Sequence, residues 1–402
     1  MFGQLWGFTF LALVVVGLAS GSSLLAGIGA VGVMVAGGTW LWSRVSTQRL
    51  IYHRGLSRSR AFPGEVLDLD ISLTNRKGLP LTWVRVQDDL PEGLELVGDT
   101  RRVTAGPRIS TLVHITSLAA FERVRWNYQV RVGPRGLYRL GPAAMRTGDP
   151  FGFFPRDLKD ETREALLVYP QPVPLPDLRL PAKWPVGDRR GVQQIHGDPS
   201  RPAGTREYEP GDPWRQVDWK ATALRGALQV KVLEPGASVL TVVVTNIDTI
   251  GLPSGGFIPR HLERLASVSA SLAQVALADG QSVGLMTNGK SLLYERPMSV
   301  GLGRSHQHLV LILEALAMLG PFAAAPIEET LLSTRRRLPT GVTTVLVTAM
   351  LTPGLTHALE LLQREGRDPV LLWVADWEPE GMPVGIEWRN LAPYLASLEA
   401  TP

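Results

Sequence analysis

The chain has 402 residues, with 41 lysines and arginines against 37 acids, a formal net charge of +4 and a charged fraction of 19%. That length holds two or three domains with real cores, and so mild a charge balance argues against a nucleic-acid binder. The chain has no cysteine, so disulfides, thiol nucleophiles and cysteine metal sites are excluded, while the compartment is left open.

The chain opens on apolar sequence. No charged side chain occurs between Met1 and Arg44. Residues 5–19 and 24–42 are nearly continuous apolar runs, separated by Ser20-Gly21-Ser22-Ser23. A membrane-spanning helix needs about 20 apolar residues. The second run meets that, and the first does so when it includes residues 2–20. The pattern predicts a transmembrane helical hairpin over residues 1–43. The rival is a cleaved signal peptide ending near Ala19-Ser20, but its basic amino-terminal region is missing and a second apolar run follows at once. Gly17 with Gly21, and Gly32 with Ala36, have the spacing that lets helices approach closely. Arg44, Arg49, Arg54, Arg58 and Arg60 all precede the first acid, Glu65. Basic residues beside a span stay on the cytoplasmic side, and a hairpin returns the chain to its starting side. The expectation is a multi-pass anchor in the inner or plasma membrane, with both termini and the soluble part in the cytoplasm.

Residues 61–155 read as strands. Val66-Leu67-Asp68-Leu69-Asp70-Ile71-Ser72-Leu73 alternates apolar and polar, the period of a half-buried strand. Trp83-Val84-Arg85-Val86-Gln87 and residues 124–132 alternate in the same way, and Asn75-Arg76-Lys77-Gly78 and Pro91-Glu92-Gly93 are turns. Short strands with regular turn signals predict a β-sandwich. The order Pro63-Gly64-Glu65, Thr74-Asn75, Leu90-Pro91-Glu92-Gly93 resembles bacterial immunoglobulin-like modules, which serve as spacers and binding surfaces. Residues 147–154, Thr-Gly-Asp-Pro-Phe-Gly-Phe-Phe, form a tight turn with an aromatic plug.

Residues 156–236 read as a linker, irregular and rich in Pro, Gly and Arg from about 170 to 203. It ends in a dense block, Gly204-Thr205-Arg206-Glu207-Tyr208-Glu209-Pro210-Gly211-Asp212-Pro213-Trp214-Arg215-Gln216-Val217-Asp218-Trp219-Lys220. Acids, bases and aromatics interleave there around a Pro-Gly-Asp-Pro turn. The block resembles the hallmark of a bacterial membrane-protein family called domain of unknown function 58, in Arg206, Glu207, Tyr208, Gly211, Asp212, Arg215, Asp218, Trp219 and Lys220. Residues 133–138 and 147–154 are also similar to that family. The family tends to carry Ala-Arg after the Asp-Trp-Lys segment; here Ala223 is followed by Leu224 and the base comes at Arg225.

Three readings of the block stand. In the architectural one, Arg206 and Arg215 pair with Glu207, Asp212 or Asp218 while Tyr208, Trp214 and Trp219 pack around them, locking the linker onto the following sheet. In the second, the block is a recognition surface, since aromatics and Arg dominate hot spots. In the third, Asp212 and Asp218 act as acid and base. No nucleophile elbow, phosphate loop or paired-histidine metal motif accompanies them, and His196 is an isolated loop residue. Arg335-Arg336-Arg337 reads as a solvated helix end.

Residues 237–402 change period. Residues 239–244, 283–286, 343–348 and 370–374 are buried strand candidates, and 261–278, 308–319 and 355–365 have helical spacing. Apolar strands alternating with helices predict a parallel sheet covered on both faces. The order resembles a von Willebrand factor A-like doubly wound domain, as the family resemblance also implies. Such domains hold a magnesium-like ion beyond the carboxyl ends of the strands. Here Asn246 falls where the leading Asp of the metal loop belongs, Asp248 and Ile250 where its two Ser belong, Thr287 mimics the later Thr, and Ala349 stands in place of a carboxylate. The expectation is a degenerate metal site and no cofactor, with magnesium as the alternative.

The resemblance implies a MoxR-type AAA+ ATPase as partner. The predicted function is a membrane-anchored, non-catalytic adaptor or scaffold for such an ATPase, in protein assembly or maturation. The rivals are a membrane-bound metal-dependent hydrolase and an adhesion or envelope module.

Overall fold

A computed structural model describes residues 2–98, 102–106, 109–176, 202–209, 212, 214, 217–233, 240–250, 256–293, 297–335, 338, 341–367 and 369–400. The chain divides into two compact units, residues 1–171 with 316–318, and residues 172–315 with 319–402. His196 and Arg336-Arg337 lie outside the described residues, as does most of the expected irregular linker.

The first unit starts with two helices, α1 (Phe2–Ala19) and α2 (Ser23–Ser46). Ser22 caps α2 by accepting the Leu25 N–H, and Gly21 turns the chain at φ 69°. The helices approach closely where glycine leaves room. A Cβ on Gly29 would meet the Val14 backbone at 2.6 Å, and one on Gly32 would enter the Phe10 ring. Of the described helices, only α2 is long and apolar enough to cross a membrane; the apolar stretch of α1, Trp6–Ala19, is shorter. The carboxyl end of α2 is closed by a cation, the Lys77 ammonium donating to the Ser46 carbonyl at 2.7 Å.

Strands follow at once: β1 (Leu50–Leu56), β2 (Arg60–Ala61), β3 (Val66–Asn75), β4 (Leu81–Pro91), β5 (Leu94–Leu96), β6 (Arg102–Gly106), β7 (Ile109–Leu118), β8 (Arg123–Val132), β9 (Gly136–Leu140), β10 (Ala143–Thr147), β11 (Arg156–Asp160) and β12 (Glu164–Val168). They make sheets of order β1-β3-β8-β5, β11-β10-β4-β7-β6 and β2-β12-β9. The β-structure thus begins before residue 61 and runs past 155. The alternation read in residues 66–73 is the burial pattern of β3, whose Leu67, Leu69, Ile71 and Leu73 are all buried. They join Val84, Val86, Leu112, Val130 and Leu166 from the other strands in one core.

The second unit contains β13 (Pro202–Glu207), α3 (Trp219–Arg225), β14 (Gln229–Leu233), β15 (Leu240–Thr245), α4 (Pro259–Ala278), β16 (Ser282–Ser291), β17 (Pro297–Gly303), α5 (His306–Ala317), β18 (Leu319–Ala323), α6 (Ile327–Thr334), β19 (Thr343–Thr348), α7 (Pro353–Arg364), β20 (Pro369–Trp373), β21 (Glu387–Asn390) and α8 (Ala392–Glu399). Its main sheet has the order β17-β16-β15-β19-β20-β21. β16, β15, β19, β20 and β21 pair in parallel, and β17 is an antiparallel edge. The central strands are buried along their whole length, as continuous apolar runs require when helices cover both faces. From β15 the chain steps to β16 on one side and later to β19 on the other, so the strand order reverses beside β15. The loops beyond the carboxyl ends of these strands are where such sheets place ligands.

Candidate functional site

The family block builds a small lobe rather than a linker. β13 pairs antiparallel with β14, Glu207 opposite Gln229. Between them Asp218 caps α3, accepting the N–H groups of Lys220 and Ala221 at 3.0 and 3.1 Å. Gly226 ends the helix in the left-handed region at φ 68°. Arg225 reaches the Gln229 side-chain oxygen at 3.1 Å, so the shifted base has a local partner. Arg206 holds Asp212 with both terminal nitrogens, at 2.8 and 2.6 Å, and also donates to the Glu207 carbonyl. Asp212 accepts the Glu209 N–H as well. The Arg206 hydrogen bonds hold the Asp212 carboxyl below the usual carboxylate range. Gly211 and Arg215 lie outside the described residues.

The architectural reading expected a partly buried pair with aromatics packed around it. The Arg206–Asp212 pair is partly buried, its side chains 44% and 15% accessible, but the aromatics do not close over it: α3 buries no side chain, and Trp214, Trp219 and Leu224 are 62%, 65% and 79% exposed. Among the described residues of the block, Tyr208 and Trp214 pack together, with ring centroids 5.3 Å apart. Among the described residues of this lobe, Val217, Gln229 and Val230 are the buried side chains, and the seven-residue α3 contributes none. Of the two acids read as acid and base, Asp212 sits in a bidentate pair with Arg206 and Asp218 caps α3.

At the carboxyl ends of the parallel strands the amide of Asn246 is engaged through both its nitrogen and its oxygen. Its Nδ2 donates to Thr348 Oγ1 at 3.0 Å, across the point where the strand order reverses. Its Oδ1 accepts from the Asp248 N–H at 3.2 Å and from Asn288 Nδ2 at 3.0 Å. Asn288 also donates to Asp248 Oδ2 at 2.9 Å and accepts the Ile247 N–H. Burial pushes the Asp248 carboxyl up, the Asn288 donor opposes this, and the Glu328 charge adds to it. Glu328 in turn accepts from the Thr352 hydroxyl at 3.3 Å.

The structure brings Asn246 and Asp248 together but not Thr287. The Thr287 hydroxyl turns into its own strand, accepting the Gly289 N–H, and the next residue, Asn288, faces the loop instead. Alternation along β16 decides this: neighbours on a strand point to opposite faces. Asn288, Thr348 and Glu328 were not singled out in the sequence; the polar pair Thr287-Asn288 inside an apolar strand was the available signal. The donor set does not fit a magnesium-like ion. Such an ion takes about six oxygen ligands, whereas both lone pairs of Asn246 Oδ1 are used internally and Thr287 faces away.

A third cluster was also missed. Arg264 of α4 lies buried and donates to Glu399 with Nε and a terminal nitrogen at 2.8 and 3.0 Å, to Asp376 Oδ1 at 2.6 Å and to the Val374 carbonyl. Arg260 and His261 reach Asp376 too. This network ties α4 to α8 and to the loop after β20. It is structural, a bidentate clamp rather than an open site.

Comparison with known proteins agrees with the block. The chain is 27% identical over 320 residues to the uncharacterized protein YeaD of Bacillus subtilis, covering 77% of this chain and 72% of that one. Solved structures similar to part of the chain include a cohesin module from a Clostridium perfringens family 33 glycoside hydrolase, at 11% identity, TM-score 0.22, 30% of this chain and 98% of that one. Another is the Bacillus subtilis sporulation control protein Spo0M, at 12% identity, TM-score 0.19, 30% of this chain and 49% of that one. At those scores neither likeness bears on fold or function. Residues 204–385 match the family described as protein of unknown function DUF58, a segment that begins at the first residue of the block. Over that segment the chain belongs to the DUF58 family, as its Arg-Glu-Tyr and Asp-Trp-Lys signature implies.

Proposed function

We propose that this protein is a membrane-anchored, non-catalytic adaptor that presents the family block to a MoxR-type AAA+ ATPase, in assembly or maturation of other proteins. The observation that carries the reading is the exposure of Trp214, Trp219 and Leu224 on a lobe where Arg206 is fixed by Asp212. Exposed tryptophans beside a fixed arginine are the composition of a binding hot spot. In this reading α1 and α2 both cross the membrane, the arginines after α2 hold the soluble units in the cytoplasm, and the parallel sheet is a von Willebrand factor A-like domain that docks partners without metal. The parallel strand order and the engaged Asn246 amide support the last point.

The test is a pull-down of the tagged full chain from detergent-solubilised membranes containing the ATPase. Wild type should retain the ATPase. The double variant Trp214→Ala, Trp219→Ala should lose it with an unchanged melting temperature, because neither ring is part of a core. Retention by the variant would remove the lobe from the interface, and no capture by wild type would remove the adaptor reading.

A further inference from the structure

The loop between β10 and β11 is built to hold aromatic rings outward. The buried Asp149 carboxylate accepts three backbone N–H groups, from Phe151, Phe153 and Phe154, at 3.1, 3.2 and 2.6 Å. The Asp149 carbonyl takes the Trp83 indole N–H at 2.9 Å, and the Phe154 carbonyl takes the Ser43 hydroxyl of α2. Gly148 is pressed against the Phe154 carbonyl, where a Cβ would come within 2.9 Å. The backbone of this loop is fixed by those bonds, and with it Phe151 is held 68% and Phe153 43% exposed. Phe153 leans toward Trp6 of α1, ring centroids 6.3 Å apart.

Between this loop and the two helices runs a cleft of about 400 Å³, lined by Phe10, Ile28, Val35, Thr39, Phe151 and Phe153 among others. The one hydroxyl in its wall, Thr39, is engaged within α2 by the Val35 carbonyl at 2.9 Å. Ile28 and Thr39 are eleven residues apart on α2, about 16 Å of helix. That is about half of a ~30 Å hydrocarbon core, the depth of one leaflet. Cations flank the Ser43–Phe154 contact: half-buried Arg156 hydrogen-bonded to Ser43, Lys77 on the Ser46 carbonyl, and Arg44, next to Ser43 on α2, with its guanidinium over the Trp40 ring at 5.4 Å.

We infer that the Phe151–Phe154 loop enters the bilayer beside α2 and that the cleft holds the acyl chain of an anionic phospholipid, with the headgroup phosphate at Arg44 and Arg156. The lining matches a hydrocarbon chain, the length matches one leaflet, and the charge at its end matches a phosphate. This rests on the reading that α2 crosses the membrane.

The test uses the absence of native cysteine, so that each variant carries one thiol. Full-length Phe153→Cys, Leu41→Cys and Ile115→Cys are labelled with an environment-sensitive fluorophore. They are reconstituted in phosphatidylcholine–phosphatidylglycerol vesicles with quencher either on the lipid chains or in the water as iodide. Chain-borne quencher should remove most of the signal at Phe153→Cys and Leu41→Cys and little at Ile115→Cys, a strand position exposed on the first unit. Quenching at Leu41→Cys with only iodide acting at Phe153→Cys would overturn the inference and leave the span standing. No chain quenching at Leu41→Cys would overturn the span and the inference with it. Ready disulfide dimerisation of Phe153→Cys in vesicles would mean that a second copy covers the cleft, and would also overturn it.

Discussion

Asp88 has no exposure to solvent; burial pushes its carboxyl up, and two neighbours, Arg54 and Tyr52, oppose this. Arg54 pairs with one carboxylate oxygen and the Tyr52 hydroxyl donates to the other at 2.6 Å. Burial, reinforced by the Asp88 charge, holds the Tyr52 phenol far above its ordinary value, so it remains a donor. Arg54 also donates to the Leu140 and Thr162 carbonyls, joining three strands' worth of backbone. In the sequence Arg54 counted only as one of five cations beside a membrane span; alternation in β1 turns it inward. Arg54→Met should cost about 3–5 kcal/mol in urea unfolding, because a buried charge is left alone. Arg54→Met with Asp88→Leu should recover most of that, and an equal loss in the double variant would show that the carboxylate is not the source. Asp248 is likewise a carboxyl pushed up by burial, but with no cation beside it among the described residues. A raised value contributes stability below the unfolded value near 4 and loses it as pH rises through the folded one. Asp248→Asn should therefore raise the melting temperature at pH 7, with the gain shrinking toward pH 4. A gain independent of pH would mean that Asp248 does not titrate as its setting requires.

At the scale of elements, periodicity carried the reading where one face decides the fate of a residue. β3, β4, β8, β15, α4, β19, α7 and β20 all fall where alternation, apolar runs or helical spacing placed them. It failed for β13, α3 and β14, where α3 buries none of its own side chains and so shows no apolar face. It was silent on the Arg264 clamp, whose partners come from α8 and from the loop after β20. That clamp makes a prediction. Arg264 hydrogen bonds hold the Asp376 and Glu399 carboxyls below their ordinary values. Depressed values contribute stability above about pH 4, lost as pH falls through the folded values. The melting temperature should drop below about pH 4 in wild type and drop less in Arg264→Met, which has already lost the clamp. Parallel acid profiles for the two proteins would dissociate the network from acid unfolding.

For the whole molecule the main prediction is topological. In the proposed topology, two spans and the arginines that follow them would place the carboxyl end in the cytoplasm. Alkaline phosphatase, active only outside, should be inactive when fused after Pro402; strong activity would refute either the second crossing or its direction. Family membership, the apolar amino-terminal run, the strands of the first unit and the strand–helix alternation of the second were all legible, because each is written locally as a motif, a run length or a period. The sequence determined those by itself. Tertiary structure alone decided which polar groups meet: Asn288 rather than Thr287 beside Asp248, Arg54 with Asp88, Arg264 with Asp376 and Glu399, and the Phe151–Phe154 loop against α2. Those partners are 40, 34, 112, 135 and 111 residues apart along the chain. No local period encodes a pairing at that separation; it exists only once strand register and helix packing have brought the side chains together.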